Sequence, residues 1–360
     1  MNFLLLLLAM AVKGGPLSDT TQHAFAAADS LTKSRVTILC TGDLMPGTDY
    51  PSSKYLPPRN NCVALFGDAA ELIRSADVAV GNLEGVFADG SATAKVCRDT
   101  LNCYVFRMPD EYAGCIEAAG YDALSVANNH VNDFGVAGRT HSSKVLDETG
   151  MHYAGFTTHP WTIFVKDSIR YGFAAFAPHT GTMDMKDYKG AAAIVKMLDD
   201  SCDIVIVSFH GGAEGKDHQH LVKGDEEFLG YNRGSVYRFA HTVVDAGADV
   251  VYGHGPHVVR AVELYRDRLI CYSLGNFCTY SRFNLSGPNA LAPAVMVTTR
   301  NDGSFIEAQI FPFLQLGEGG PVKDPSGKAI SKIRELTEAD LPGQGIEITN
   351  EGSIKRKPSL

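Results

Sequence analysis

The sequence predicts an α/β fold in which two packed sheets carry helices on their outer faces, a four-layer α/β/β/α sandwich. Two observations lead there. Short β-rich runs alternate with helical stretches, which implies parallel strands joined by helical crossovers. Hairpin-like pairs of runs follow, and these require a second, mixed sheet.

The elements come in order. Residues 36–40 are an apolar β run ending in the turn Thr41-Gly42-Asp43-Leu44-Met45-Pro46-Gly47. Leu65, Ala69, Leu72 and Ile73 have helical spacing. A second strand over 77–80 runs into Gly81-Asn82-Leu83-Glu84-Gly85. Residues 109–119 read as a helix with Pro109 at its start and Gly120 at its end. A strand over 121–127 leads to Asn128-Asn129-His130, and a helix over 136–148 closes at Gly150. Runs at 161–165 and 171–177 form a hairpin. Then come a helix over 191–198, a strand over 203–208 ending at His210, a helix over 236–245, and a strand over 249–252 ending at His254. The runs 259–264, 269–272, 294–299 and 305–311 complete the second set of strands. Residues 35–316 therefore read as one domain, 1–34 as a signal-like segment with linker, and 317–360 as a polar C-terminal tail with one short helix near 330–335.

Composition narrows the function classes. With 45% hydrophobic and 20% charged residues, 360 residues can bury a full core. A net charge of −9 argues against a nucleic-acid binder, which needs a basic face. The apolar run Leu4 to Val12 is too short to span a bilayer and resembles the core of a secretory signal, so the protein is expected to be secreted or held in the cell envelope or periplasm. Two features are atypical: no Lys or Arg precedes the run, and the better small-residue cleavage site, Ala24-Phe25-Ala26, lies far beyond it. Cys40, Cys202 and Cys271 lie in apolar runs and read as small buried hydrophobes. Cys97 and Cys103 flank a short polar stretch; they are either bridged, as export allows, or two thiols in a loop.

Chemistry gathers where the strands end. Five strand-end turns present Asp43, Asn82 with Glu84, Asn129 with His130, His210, and His254 with His257. Open α/β sheets place ligands at the carboxyl ends of their strands, so these scattered residues can converge. Taken singly, Asp43 could be a turn former and His210 a core histidine. The joint pattern of carboxylate, carboxamide and imidazole suits Mn, Fe or Zn better than Ca or Mg.

The same segments carry a resemblance. The Thr41-Gly42-Asp43 turn, Gly81-Asn82-Leu83-Glu84, Ala127-Asn128-Asn129-His130-Val131-Asn132-Asp133-Phe134-Gly135, His210-Gly211-Gly212-Ala213-Glu214, Gly253-His254-Gly255-Pro256-His257 and Tyr272-Ser273-Leu274-Gly275-Asn276-Phe277 together resemble the ordered motifs of the CapA family of poly-γ-glutamate capsule proteins. Gly211 stands where that family usually has an aromatic residue. The resemblance implies a calcineurin-like metallophosphoesterase fold holding one or two divalent ions. It carries Asp43, Glu84, Asn129, His210, His254 and His257 to metal-ligand positions. It makes His130 the catalytic histidine, with Asp133 to orient it. Asn82, Glu214 and Asn276 would support the ligands, with Glu214 holding His210. True metallophosphoesterases have a histidine where this chain has Met45, and their last motif lacks the intervening Pro256; a full two-metal set is therefore not expected.

Two functions follow from the resemblance. One is a metal-dependent hydrolase of a phosphoester or a γ-glutamyl amide, with an anionic polymer or peptide as substrate. The other is a non-catalytic factor in capsule polymer assembly, tethering or export, with capsule-synthesis membrane proteins as partners. A soluble cytoplasmic enzyme is a third reading.

Overall fold

The computed structural model of the protein describes residues 35–97 and 103–358, so the signal-like segment lies outside the described residues. The strands used here are β1 (Val36–Met45), β2 (Val78–Leu83), β3 (Ala123–Ser125), β4 (His152–Ala154), β5 (Trp161–Lys166), β6 (Ile169–Phe176), β7 (Ile204–His210), β8 (Val250–His254), β9 (Val262–Tyr265), β10 (Arg268–Cys271), β11 (Asn276–Thr279), β12 (Ala294–Thr299), β13 (Phe305–Phe311), β14 (Ile346–Ile348) and β15 (Ser353–Arg356). The helices are α1 (Gly67–Ser75), α2 (Tyr112–Ala119), α3 (Gly135–Thr149), α4 (Tyr188–Asp199), α5 (Val236–Asp245) and α6 (Lys328–Asp340).

One sheet has the order β14-β15-β13-β12-β1-β2-β3-β4, with β11 alongside the end of β1; the other has the order β9-β10-β8-β7-β6-β5. Strand side chains alternate between faces, and the two faces of the first sheet serve different cores. Leu39, Ala79 and Leu124 pack against Ala69 and Ile73 of α1, Tyr112 and Ile116 of α2, and Leu146 of α3. Ile38, Cys40, Val78 and Val80 join the core of the second sheet, which continues to Val195 and Leu198 of α4 and Phe239 and Val243 of α5. This is the expected four-layer α/β/β/α sandwich. Gly120 and Gly150 end α2 and α3 in left-handed conformations (φ 111° and 73°), as their positions predict.

Two expectations need correction. The first strand does not stop at residue 40. It continues to Met45, shifts register after Cys40, and pairs there with both β2 and β11. Gly42 permits this, because a Cβ at that position would lie 2.0 Å from the Gly275 carbonyl oxygen. The stretch after 316 is not a free tail. Helix α6 buries Ala329, Ile330, Ile333 and Leu336 in the main core, and β14 and β15 extend the first sheet. Its apolar residues recur at helical spacing inside a polar composition.

Cys97 and Cys103 are bridged, with Cα atoms 5.8 Å apart. A second bridge, Cys62–Cys115, ties the segment before α1 to α2 with Cα atoms 6.1 Å apart. Cys40, Cys271 and Cys278 are free and buried, and Cys202 is free and partly buried. Among the described residues no helix is long and apolar enough to cross a membrane.

Candidate metal centre

Strand register brings the chemistry together. In the first sheet Asp43 of β1 lies beside Asn82 of β2 on one side and Asn276 of β11 on the other. In the second sheet His210 of β7 lies beside His254 of β8. The turn after β8 then delivers His257 in a left-handed conformation (φ 56°), next to Gly255, where a Cβ would collide with the Gly211 backbone.

The groups face one another at short range. His257 Nδ1 donates to Asp43 Oδ2 at 2.8 Å, and His254 Nδ1 lies 3.3 Å from Asp43 Oδ1. His210 Nδ1 is 3.5 Å from Glu84 Oε2, and His257 Nε2 and His130 Nε2 are each 3.9 Å from Glu84 Oε1. Asn82 Nδ2 bridges the two carboxylates, donating to Asp43 Oδ1 at 2.8 Å and to Glu84 Oε2. Asn128, beside the expected ligand Asn129, donates to Asn82 and to the Leu83 carbonyl. Asn276 Oδ1 lies 3.2 Å from His257 Nδ1.

Burial makes the arrangement costly as it stands. Asp43, Glu84, His210 and His254 are almost fully buried. Glu84 Oε1, Asn129 Oδ1, both ring nitrogens of His210 and Nε2 of His254 make no hydrogen bond. Such orphaned atoms are rare in proteins because each forfeits its hydration. Burial works to raise the Asp43 carboxyl, and the adjacent imidazoles of His254 and His257 outweigh it, so the group lies well below the ordinary carboxylate range. Burial and the Asp43 charge push Glu84 up to about 8. A cation among these atoms would satisfy the orphaned lone pairs and relieve the repulsion between carboxylates. Ligand atoms of Asp43, Glu84 and His210 all lie within 4.8 Å of one another, so the residues present fit a divalent ion. Met45 is fully buried in the apolar core around α1 and α2 and offers no ligand.

His130 is set apart from the other imidazoles by its partner. Its Nδ1 donates to Asp133 Oδ2 at 2.8 Å. Asp133 is held by the Phe106 N–H at 2.7 Å and by Lys95 Nζ at 2.5 Å. Burial lowers the His130 pKa against the pull of Asp133. Its Nε2 therefore faces the cluster with the ring orientation fixed by Asp133.

Glu214 does not hold His210. It forms an ion pair with Arg233, whose Nη1 lies 2.7 Å from His179 Nε2. His179 in turn packs edge-on against His210, with ring centroids 6.0 Å apart. Arg233 is 7% exposed and sits on a hairpin strand, Tyr231–Gly234. No signal in that strand marked it. A cleft of about 360 Å³ opens over the site, walled by Phe106, Phe283, Tyr104 and Lys95.

The family comparison decides the identity. A family described as "Bacterial capsule synthesis protein PGA_cap" matches residues 37–281, from β1 through the turn after β11. The chain belongs to this family. Proteins similar to it include the "Capsule biosynthesis protein CapA" of Bacillus anthracis, 25% identical over 332 residues covering 86% of this chain and 74% of that protein. The "PGA biosynthesis protein CapA" of Bacillus subtilis is 28% identical over 237 residues, covering 60% of this chain and 57% of that protein. Among solved structures, a hypothetical protein from Thermus thermophilus has a TM-score of 0.47 at 15% identity, covering 78% of this chain and 100% of that chain. A 5'-nucleotidase precursor from the same organism has a TM-score of 0.40 at 14% identity, covering 78% and 54%. The PGA_cap chain described here packs its two sheets between helices, with ligand-type side chains at strand ends of both sheets.

Proposed function

We propose that this PGA_cap protein is a metal-dependent hydrolase of the cell envelope, acting on a phosphoester or a γ-glutamyl amide in capsule or cell-wall metabolism. The observation that carries the reading is the set of buried, unpartnered atoms on Glu84, His210 and His254 around the Asp43 carboxylate, with a further one on Asn129 in the adjoining cleft. Asp43, Glu84, Asn129, His210, His254 and His257 would hold one divalent ion, or one tightly and a second weakly. Such an ion supplies Lewis-acid stabilisation of charge developing on the attacked group. The protein's own contribution is proton transfer. His130, with Nδ1 locked on Asp133, presents Nε2 to the cleft and serves the leaving group. Two disulfides suit an exported protein.

Met45 favours a second reading. It takes the place of a usual ligand, which leaves room for a non-catalytic role in polymer assembly or export, with the cluster as a binding site. Metal analysis of the purified protein, paired with turnover on a panel of phosphodiesters and γ-glutamyl peptides, separates the two. Bound metal with turnover supports the hydrolase; bound metal without turnover on any member of the panel moves the assembly role ahead.

A further inference from the structure

We infer that Arg282 forms an oxyanion subsite at the mouth of the cleft, selecting ligands that carry a carboxylate or phosphate group beyond the one facing the metal-ligand cluster. The inference rests on the proposed site for its floor, and on separate observations for the subsite.

The first observation is placement. Arg282 lines the same cleft as His130, His257 and Asn129. Its neighbour Phe283 stacks on Phe106 with ring centroids 5.2 Å apart, and Phe106 lies against His130 at 4.4 Å. The Phe283 ring also meets His257 edge-on at 6.1 Å. The cleft thus runs from imidazoles at its floor, past two phenyl rings, to a guanidinium at its rim.

The second observation is how the guanidinium is held. It lies over the rings of Tyr55 and Tyr104, 5.0 Å and 5.4 Å from their centroids. Its hydrogen bond to the backbone is a long one, Nη1 to the Tyr50 carbonyl at 3.4 Å. Among the described residues it forms no ion pair, whereas Lys95 and Arg233 beside the same site are each tied to a carboxylate. A planar guanidinium braced by aromatic faces keeps its fork of donors available for a carboxylate or phosphate.

The third observation is backbone conformation. Ser281 and Arg282 are consecutive left-handed residues (φ 54° and 56°), a conformation disfavoured by any Cβ. Paired deviations of this kind persist where the surrounding structure fixes them, and they gather at ligand sites. Asn284 and Asn289 line the same cleft; the Asn284 amide N–H and the Asn289 Oδ1 are left to meet the body of such a ligand, since Asn284 Oδ1 accepts from Ser286 and Asn289 Nδ2 donates to the His257 carbonyl.

The test uses the full purified chain with its metal content recorded. The probes are a ladder of α,ω-dicarboxylates, each compared with its own mono-amide, and the matching ω-phosphonocarboxylates. The mono-amide keeps one end for the cluster and removes charge at the other. Titration calorimetry on the wild type should show at least one dicarboxylate or phosphonocarboxylate bound more tightly than its mono-amide. Arg282→Ala should erase that preference, a loss of roughly 10- to 100-fold for the charged probe. It should leave mono-amide binding and metal content unchanged, and Arg282→Lys should restore part of the preference. Carboxylate and phosphonate arms rank the two oxyanions. A wild type that never prefers the charged probe overturns the subsite. So does an Arg282→Ala variant that keeps the preference, or that loses charged and neutral probes equally. These readouts need no turnover, so a protein without hydrolase activity can still possess the subsite, and an active one can lack it.

Discussion

The orphaned ligand atoms imply that a bound divalent ion should stabilise the fold, and that one substitution should abolish this without harming another variant. In the metal-free protein, His210 has two unpartnered ring nitrogens and Glu84 an unpartnered oxygen, all buried. An ion that binds only the folded state adds about 2.7 kcal/mol at a free concentration of 100 Kd. For a domain of this size, 1 kcal/mol moves Tm by about 2 °C, so the expected gain is about 5 °C. Differential scanning calorimetry of chelator-stripped protein, titrated with Mn, Fe(II) or Zn and with Ca and Mg as controls, reads it directly. His210→Ala removes a ligand and should lose the metal-dependent shift. His254→Ala should behave likewise. His130→Ala should keep the shift, because the proposed reading gives His130 proton transfer and no ligand position. A wild-type Tm indifferent to all three transition metals would sink the metal assignment. If His130→Ala loses the shift as fully as His210→Ala, the division between ligand and proton donor is wrong.

Three further outcomes follow. His130→Ala should lower turnover by about 10²- to 10⁴-fold, with the largest loss on substrates whose leaving groups need a proton; equal losses on activated and unactivated esters would remove its role as a proton donor. Burial and the adjacent Arg233 hold His179 down at about 3, so between pH 6.5 and 3 the unfolded chain takes up a proton that the native one refuses. Stability is therefore complete above about pH 6.5 and falls as the pH drops, with a slope of about 1.4 kcal/mol per pH unit for one proton. Urea unfolding across that range should show a shallower slope in His179→Gln, and an unchanged slope would refute the assignment. Opening Cys62–Cys115, which closes a 53-residue separation, should cost about 4 kcal/mol, and opening Cys97–Cys103, with a separation of 6, about 2 kcal/mol. Denaturation of the paired Ser variants measures both, and the reverse ranking would contradict the loop-closure account.

What the sequence disclosed and what it hid divide along physical lines. Strands and helices with a single strong period were legible, down to the glycines that end α2 and α3, because a left-handed terminus is a local requirement. The candidate site residues were legible because they sit at or just past strand ends, and the parallel register that sets Asp43 beside Asn82 and His210 beside His254 follows from the fold class. Helix α6 was seen only as one turn, since its buried residues are diluted by a charged face. The Cys62–Cys115 bridge spans elements that meet only after α1 and α2 pack, so no spacing rule reaches it. The support of His210 was misread for the same reason. Glu214 follows it closely in sequence, yet Glu214 pairs with Arg233, delivered from a hairpin about twenty residues on. A candidate side chain at a strand end can be read from its strand, because the strand directs where it points. The residues that position ligands come from whichever loops the tertiary fold folds over them, and their chemistry becomes visible only when buried charges such as Arg233, Lys95 and Asp133 are matched with the partners that neutralise them.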